Sequence, residues 1–339
     1  MKTVLLLFGG ESTEHEVSVA SALNVSQALD KDTFTIIYSY IDRNGVWWHV
    51  DGITTDLTAD AKQLLPQFGR KSFILEGTET TLTPDVILPI LHGRNGEDGT
   101  VQAVAQLVHV PVVGCDMTSS AAAMNKYLTK QIAMANNIRV APFTVHYTAD
   151  SNPIYTEVSE KLGATLFVKP ASAGSSVGVY KVTNQEELDK AIIGAHMFDD
   201  IVLIETAIDA RELEIAVLGN YPAIEASVVG EIKPQGEFYS YESKYDELSE
   251  SSVVIPAEIS PELSDELRRQ AVLIFHILGC SGMARVDFFI DKNTHDIYLN
   301  EVNTIPGFTD ISMYPKTWEH AGVSYAELIE RLINLAAAK

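Results

Sequence analysis

The chain has 339 residues, 46% of them hydrophobic and 21% charged, which is the balance of a folded protein with ordinary buried cores. It carries 24 Lys and Arg residues against 46 Asp and Glu residues, and the formal net charge of −22 argues against nucleic acid or an anionic membrane surface as a partner. At roughly 100–200 residues per domain, the length predicts two or three domains.

The first part of the chain alternates between strand and helix patterns. An apolar run at Val4–Phe8 predicts a buried strand, and two glycines separate it from a helical pattern over Ser18–Leu29. Further strands are predicted at Thr35–Tyr40, Trp47–Val50, Val86–Leu91 and Val110–Val113, with a helix over Val101–Leu107. This alternation predicts a parallel sheet with ligands at the carboxyl ends of its strands, in a first domain of residues 1–115.

The remainder predicts two α+β domains, over residues 116–208 and 209–339. In the middle domain we expect one helix over Ser119–Asn136, strands at Phe143–His146, Leu166–Lys169 and Val202–Glu205, and a helix over Glu186–Ala195. In the last domain we expect strands at Glu212–Leu218, Ala223–Val229, Ala284–Ile290 and Ile297–Val302, and a long helix over Pro261–Leu278. The polar stretch 231–252 has no clear period and is predicted to be a functional loop.

Cysteine usage and the chain start predict the compartment. Cys115 and Cys280 have no second cysteine or histidine at metal-ligand spacing, so we expect free buried thiols in a reducing cytoplasm. The first apolar run is too short for a signal peptide, and no apolar stretch is long enough to span a bilayer. A cytoplasmic location is therefore predicted.

A glycine-rich segment, Lys169–Val179, follows a predicted strand. Small residues let the backbone approach a phosphate, and Lys169 offers a positive charge to its oxygens. The alternative is a hairpin loop whose glycines serve only turn geometry. Neither the common nucleotide-triphosphatase loop nor the dinucleotide fingerprint is present.

Oxygen donors cluster on two predicted strands near the end of the chain. Glu301 and Asn303 are two residues apart and share a strand face, and Asp287 lies on the strand before them. If the strands are neighbours, three hard oxygen donors converge, which suits Mg²⁺ bridging nucleotide phosphates. The alternative is an alternating strand whose polar face is solvated.

Two further features adjoin these. Thr304–Thr309 contains a Pro-Gly turn directly after the donor strand, where a backbone N–H and Arg285 could stabilise an oxyanion; an ordinary turn, with Arg285 neutralising Asp287, is the alternative. Glu14 follows the first Gly-Gly turn, where it could meet a substrate ammonium group or simply stabilise a helix N-terminus. His92, at the end of another strand, could assist or could cap its turn.

Taken together, these segments resemble the D-alanine–D-alanine ligases of the ATP-grasp superfamily. The matching motifs occur in the family's order over nearly the whole chain: Phe8–Ser18, His92–Gly99, Met124–Lys126, Gly174–Gly178, Glu242–Tyr245, Arg285–Phe289 and Asn300–Thr309. The resemblance implies an α/β, ATP-grasp fold in which an N-terminal parallel α/β domain precedes two α+β domains that sandwich ATP.

The resemblance also implies roles for individual residues. The expected ATP-binding residues are Lys126, Lys169, Ser176, Glu205, Ala207, Ile208, Glu212, Lys244 and Asn300, with Lys244 on the lid loop 231–252. The expected ligands of two Mg²⁺ ions, or of Mn²⁺ in their place, are Asp287, Glu301 and Asn303. The expected catalytic residues are Glu14, Ser175, Tyr245, Arg285 and Gly307, and further substrate contacts are expected from His92, Ser312 and Met313.

The implied reaction joins two D-alanine molecules through an acyl phosphate, with ATP as co-substrate, to supply a peptidoglycan precursor. Tyr245 favours an amine acceptor, because relatives that use D-lactate tend to carry phenylalanine or histidine there. Asp310 departs from the small polar residue usual in the family and leaves D-lactate or D-serine open as acceptor. Asn125, Ala173 and Ala207 are further departures that should be tolerated.

Three hypotheses follow: this ligase, another carboxylate–amine or depsipeptide ligase of the superfamily, and a nucleotide-binding protein without turnover. The intact set of oxygen donors argues against the third. D-Alanine and ATP are the expected ligands, the expected assembly is a homodimer, and neither nucleic acid nor a membrane is an expected partner.

Overall fold

The first sheet is built around the N-terminal strand. The computed structural model describes residues 1–54, 57–58, 61–175, 177–233 and 252–338. The seven strands of this sheet are β1 (Lys2–Gly9), β2 (Phe34–Ile41), β3 (Trp47–Val50), β4 (Lys62–Gln67), β5 (Ser72–Leu75), β6 (Thr81–Leu82) and β7 (Val86–Ile90). Their order is β6-β5-β4-β3-β2-β1-β7, and the apolar β1, between β2 and the edge strand β7, is buried.

The predicted parallel sheet is only half correct. Strand β1 pairs in parallel with β2 and β7, whereas β2 to β6 pair antiparallel. The physical reason is linker length: Asp42 caps the short turn after β2 through its contacts with the Asn44 and Val46 N–H groups, and so short a link permits only a hairpin. The expected strand at Val110–Val113 is reduced to a single parallel bridge between Ile87 and Val112.

Helices α1 (His15–Ala28) and α2 (Thr100–Val108) accompany this sheet, and two further helices follow it. The single helix predicted over Ser119–Asn136 is wrong: the structure has α3 (Met117–Met124) and α4 (Lys126–Ala135). Asn125 separates them, because its extended backbone ends α3 while its side-chain oxygen accepts from the Leu128 N–H and caps α4. The break places Lys126 at the first position of a new helix.

The second sheet lies between residues 143 and 206. Strands β8 (Phe143–Tyr147), β9 (Leu166–Pro170), β10 (Tyr180–Val182) and β11 (Ile201–Thr206) are arranged in the order β10-β9-β11-β8, with antiparallel pairing throughout. Helices α5 (Tyr155–Leu162) and α6 (Gln185–Ala195) pack their apolar residues against it. The glycine-rich segment therefore connects two neighbouring strands, β9 and β10.

The third sheet carries the predicted oxygen donors. It contains β12 (Ala210–Asn220), β13 (Ala223–Lys233), β14 (Ser252–Val254), β15 (Gly282–Asp291) and β16 (Ile297–Asn303), in the order β14-β13-β12-β15-β16. Helix α7 (Pro261–Ile277) covers one face with its buried Leu267, Ala271, Ile274 and Phe275. Helices α8 (Met313–His320) and α9 (Tyr325–Ala337) complete the described elements.

The end of the chain packs back onto the beginning. Leu328, Ile329, Leu332 and Ile333 of α9 share one hydrophobic cluster with the apolar side chains of β1 and β7. This contact brings the loops that follow β1 and β7 against the third sheet. None of the helices in the described part of the chain combines the length and hydropathy needed to cross a membrane.

Candidate active site

The three predicted metal ligands lie side by side on one face of the third sheet. Strands β15 and β16 are antiparallel neighbours in which Asp287 is opposite Glu301 and Arg285 is opposite Asn303. Residues two apart in a strand point to the same face, so these four side chains form a compact square. The amide of Asn303 donates to Asp287 Oδ2 at 3.0 Å, which ties the two strands together at this point.

Arg285 is held by two carboxylates. Its Nε and Nη2 atoms donate to the two oxygens of Asp287 at 2.8 and 2.7 Å, and Nε also lies 3.0 Å from Glu214 Oε2 on β12. Burial alone would lower the pKa of Arg285, but Asp287 and Glu214 hold it well above its ordinary value. The guanidinium is thus a fixed positive charge at the predicted oxyanion position. The sequence did not predict a role for Glu214; the only signal was its position two residues after Glu212 in the same strand.

Lys126 links the carboxylates to the glycine-rich loop. Its Nζ donates to the Ala173 carbonyl at 2.7 Å and lies 3.4 Å from Glu301 Oε2. The polar and glycine residues lining the adjoining pocket are Glu97, Lys126, Gly174, Glu301, Asn303 and Thr304. The pocket therefore joins residues predicted to bind phosphate with residues predicted to bind metal.

Glu14 and His92 lie at the carboxyl ends of β1 and β7. Glu14 is buried at the N-terminus of α1, and its Oε2 lies 3.8 Å from the position of a Cβ built on Gly174. The buried ring of His92 contacts the Ile305 carbonyl through Nδ1 at 3.1 Å, while Nε2 has no hydrogen-bond partner among the described residues. Burial lowers the pKa of His92, and the nearby charge of Glu14 opposes this effect.

Glu97 is a second acidic residue at this edge that received no role from the sequence. It follows β7 in the same loop as His92, and the Gly93 N–H donates to its Oε2 at 2.8 Å. Burial, reinforced by the charge of Glu14, raises the pKa of Glu97 to about 8. Its place within the matched motif His92–Gly99 was the signal that could have found it.

Lys169 is positioned by Glu205 rather than by the glycine-rich loop. Its Nζ lies 2.8 Å from Glu205 Oε2, and the Nζ of the fully buried Lys130 lies 3.1 Å from Glu205 Oε1. Burial would raise the pKa of Glu205, but Lys130 and Lys169 lower it below its ordinary value. The sequence placed Lys130 on the helix of Lys126 without a role, and in the structure it supports the carboxylate that holds Lys169.

The predicted adenine-binding segment follows β11. The Ala207 N–H donates to the Thr165 carbonyl at 3.1 Å, so this N–H is occupied within the protein and leaves the carbonyl oxygens and the Ile208 N–H as groups that could face a base. Glu212 lies on β12 opposite Phe289 and Ile232. Asn300 is the extra residue at the irregularity in β16, since Glu301 pairs with Asp287 and Leu299 with Phe288.

The segment after β16 contains Ser312 and Met313, the two residues predicted to contact the second substrate. Ser312 immediately precedes α8 and makes no side-chain capping bond to it; its Oγ accepts from the Thr309 N–H at 2.9 Å and lies 2.7 Å from a Cβ built on Gly307. Met313 is buried and its side chain packs against Gly230 of β13. Ser312 and Met313 therefore stand at the N-terminus of α8, where N–H groups and the helix dipole favour an anion.

Three predicted site residues cannot be placed. Ser176, Lys244 and Tyr245, with most of the predicted lid loop 231–252, lie outside the described residues. Ser175 is described and has a positive φ of 51°, an uncommon conformation for a non-glycine residue that directs the loop's backbone.

The three predicted metal ligands can supply only part of the coordination shell of a divalent cation. Within the described ranges, no group of three His, Cys, Asp or Glu side chains could hold a metal on its own. Asp287, Glu301 and Asn303 offer two carboxylates and one amide, which are hard oxygen donors from adjacent strands. Mg²⁺ usually binds one or two carboxylates and completes its shell with substrate phosphates and water, so the residues present suit a nucleotide-bound Mg²⁺.

These features define a mixed α/β protein of three sheets, with a pocket lined by Lys126, Gly174 and the carboxylates of Glu97 and Glu301. Residues 3–115 match the family model described as D-ala D-ala ligase N-terminus, and residues 132–334 match that described as D-ala D-ala ligase C-terminus. The chain therefore belongs to the D-alanine–D-alanine ligase family.

Individual relatives agree with the family models. The chain is 43% identical to a D-alanine–D-alanine ligase of Caldicellulosiruptor bescii, with 99% of this chain and 95% of the relative covered. It is also 43% identical to D-alanine–D-alanine ligase A of Escherichia coli K12, with 98% and 94% covered. The solved VanG D-Ala:D-Ser ligase of Enterococcus faecalis superposes with a TM-score of 0.90 at 36% identity, with 99% of each chain covered. The D-alanine–D-alanine ligase of Coxiella burnetii superposes with a TM-score of 0.88 at 34% identity, with 99% and 94% covered.

Proposed function

We propose that this chain is an ATP-dependent ligase that joins two D-alanine molecules into D-alanyl-D-alanine and releases ADP and phosphate. The observation that carries the proposal is the meeting of Lys126, Glu301 and the Gly174 loop around one pocket, with Glu14 at its edge. The residues proposed for phosphoryl transfer thus lie beside the carboxylate proposed to bind an ammonium group, which supports a carboxylate–amine ligase. The product would serve as a peptidoglycan precursor.

The first step is phosphoryl transfer from ATP to the carboxylate of the first D-alanine. Lys126 and Lys169 would hold ATP phosphates, and the carboxylate of Glu205 keeps Lys169 extended toward them. Glu14 would bind the first D-alanine's ammonium group. Two Mg²⁺ ions held by Asp287, Glu301 and Asn303 would neutralise charge on the phosphates when bound.

In the second step, the amine of the second D-alanine attacks the acyl phosphate and phosphate leaves. Negative charge develops on the former carbonyl oxygen, and the guanidinium of Arg285 with the Gly307 N–H would stabilise it. Because Arg285 is anchored by Asp287 and Glu214, the protein need not reorganise as this charge appears. The start of α8, at Ser312 and Met313, would bind the second carboxylate.

We also infer an ATP-grasp arrangement with domains over 1–115, 116–208 and 209–339. In it, Ser176 would belong to the phosphate loop, Lys244 to the loop that closes over the γ-phosphate, and Tyr245 would support Glu14. Ile208 and Glu212 would contact the nucleoside. A cytoplasmic location and a homodimer are further predictions from sequence.

The test is product identity. Purified protein incubated with ATP, Mg²⁺ and D-alanine should release phosphate and form D-alanyl-D-alanine, whereas L-alanine should support neither. Parallel reactions with D-alanine plus D-serine or D-lactate identify the acceptor. If the mixed product exceeds D-alanyl-D-alanine, D-serine or D-lactate is the favoured acceptor. If no phosphate is released with D-alanine alone or with D-alanine plus D-serine or D-lactate, the proposal is contradicted.

A further inference from the structure

Glu97 lines the same pocket as residues predicted to bind phosphate and metal, yet the proposed chemistry has given it no task. It lies in the loop after β7, and it lines the pocket together with Lys126, Gly174 and Glu301. Its Oε2 accepts a hydrogen bond from a backbone N–H, that of Gly93, rather than from a lysine or arginine. A carboxylate in this position is costly to bury unless a charged partner arrives.

Glu14 and Glu97 approach the same glycines from different loops. Glu14 Oε2 lies 3.3 Å from the position of a Cβ built on Gly93, whose N–H donates to Glu97 at 2.8 Å. Glu14 also lies 3.8 Å from a Cβ built on Gly174, which lines the pocket beside Glu97. Two carboxylates therefore converge on a space kept open by two residues without side chains. The buried His92 Nε2, unpartnered among the described residues, belongs to the same loop as Glu97 and further indicates a bound polar group here.

The proposed reaction brings two ammonium groups to this space, one on each amino acid. In the proposed reaction, Glu14 binds the ammonium group of the first amino acid. We propose that Glu97 binds the ammonium group of the second, attacking amino acid and accepts one of its protons. This inference rests on the proposed function and adds a residue to it.

The ammonium group transfers one proton to Glu97, and the resulting amine uses its lone pair to form the C–N bond with the acyl carbon. The C–O bond to phosphate then breaks, and its electron pair leaves with the phosphate. The nitrogen loses its second proton to the departing phosphate, so that amide, hydrogen phosphate and a protonated Glu97 remain.

The electrostatic setting suits a proton acceptor for an amine. Burial, together with the charges of Glu14 and Glu301, raises the pKa of Glu97 to about 8 against the opposing effects of the Gly93 N–H and Arg285. A carboxylate whose pKa approaches that of an amine can exchange a proton with it at little cost. Lys126 and His92 are the other ionisable groups that border this space.

The competing explanation is that Glu97 merely fixes the loop through the Gly93 N–H. Glu97→Gln separates the two roles, because the amide oxygen can still accept that hydrogen bond but cannot take a proton from an ammonium group. Glu225→Gln is the matched control: it is the same change at an exposed position on β13, where the carboxylate lies 4.0 Å from Arg331.

The experiment measures both steps in each variant. Dipeptide formation reports the whole reaction, and scrambling of an ¹⁸O label between the bridging and non-bridging oxygens of ATP reports reversible phosphoryl transfer. In Glu97→Gln we expect dipeptide formation to fall by about 10²–10⁴-fold, the range of a general base. Isotope exchange should stay within about threefold, so the ratio of exchange to product rises. Glu225→Gln should match the wild type in both.

Each other outcome overturns the inference. Dipeptide formation within threefold of the wild type would show that Glu97 is not needed for attack, and equal losses in both steps would assign it to phosphoryl transfer or to folding. If Glu97→Gln does not fold, Glu97→Asp decides by the same ratio, which must rise because the shortened carboxylate reaches the amine poorly. A wild-type protein that makes no dipeptide would instead defeat the proposed function itself.

Discussion

The Nζ atom of Lys130 lies 3.1 Å from Oε1 of Glu205 in an environment where the lysine side chain is 1% exposed. Glu205 in turn holds Lys169 at 2.8 Å, so one buried carboxylate orders two lysines from different elements. Removing one partner of a buried ion pair costs about 3–5 kcal/mol. We expect Lys130→Met to destabilise the protein toward the lower end of that range, because Lys169 still compensates Glu205.

Urea-induced unfolding measures this effect, with Lys190→Met as the control. Lys190 pairs with Glu186 on the exposed face of α6, where both side chains are more than two-thirds solvent-accessible, at 73% and 79%. Exposed pairs of this kind contribute about 0–1 kcal/mol. If Lys130→Met and Lys190→Met lose the same free energy of unfolding, Lys130 contributes no more to stability than an exposed lysine does.

Lys130 also predicts a pH dependence of stability. Burial, opposed by Glu205, lowers its pKa in the folded state from 10.5 to about 8. Between these values the unfolded chain holds more protons than the folded one, so the free energy of unfolding rises with pH through this window. Relative to Lys130→Met, the wild type should gain on the order of 1–3 kcal/mol from pH 8 to pH 10.5. A difference that shrinks over this window would contradict the assignment.

A substitution at Glu301 tests the predicted set of metal ligands. Its carboxylate faces Asp287 across the β15–β16 pair and lies 3.4 Å from Lys126. Glu301→Gln keeps the shape but removes one of two negative charges, so we expect the Mg²⁺ requirement for ADP binding to rise at least about tenfold and turnover to fall by orders of magnitude. Titration calorimetry with ADP at several Mg²⁺ concentrations measures the first effect directly. Unchanged magnesium dependence would remove Glu301 from the metal ligands.

Much of the fold could be predicted because its strongest signals are local. The buried β1, helix α7 and the donor strands β15 and β16 follow from apolar runs and periodicity, and the spacing of Glu301 and Asn303 placed both on one face. The antiparallel strands β4 to β6 are short and lack a clear pattern, so they were not predicted. The site residues Glu97, Lys130 and Glu214 escaped because their roles depend on partners distant in sequence.

Gly282 and Gly114 offer a test of the packing between the N-terminal segment and the third sheet. Gly282 has a positive φ of 73°, and a Cβ built on it would lie 2.9 Å from the Gly114 backbone. Gly279 has a similar φ of 72° but open space around the corresponding position. Alanine at Gly279 should cost about 1–2 kcal/mol from backbone strain alone. Alanine at Gly282 should cost a further 1–3 kcal/mol or so from overpacking. If the two alanine variants lose the same free energy of unfolding in chemical denaturation, the contact between Gly282 and Gly114 relaxes without cost.

Asp310 bears on the acceptor, because an extra negative charge facing the second substrate would repel its carboxylate. In the structure, Asp310 is exposed and its Oδ1 accepts from the Asn24 amide of α1 at 2.8 Å. The same amide lies 3.4 Å from the Phe308 carbonyl, so the pair fastens the loop before α8 to the first helix. The carboxylate is thus already satisfied on the α1 side of the loop and is screened by solvent.

We therefore expect Asp310→Ser, which restores the residue usual in the family, to change the KM for acceptor D-alanine by less than about threefold, or roughly 0.6 kcal/mol. Asn24→Asp should have the larger effect, because two carboxylates facing each other would push the loop away from α1 and displace Ser312 and the start of α8 with it. Steady-state kinetics with D-alanine and with D-lactate as acceptor distinguish the two. A tenfold lower KM in Asp310→Ser would mean that the carboxylate faces the substrate after all, and that acceptor choice is set there.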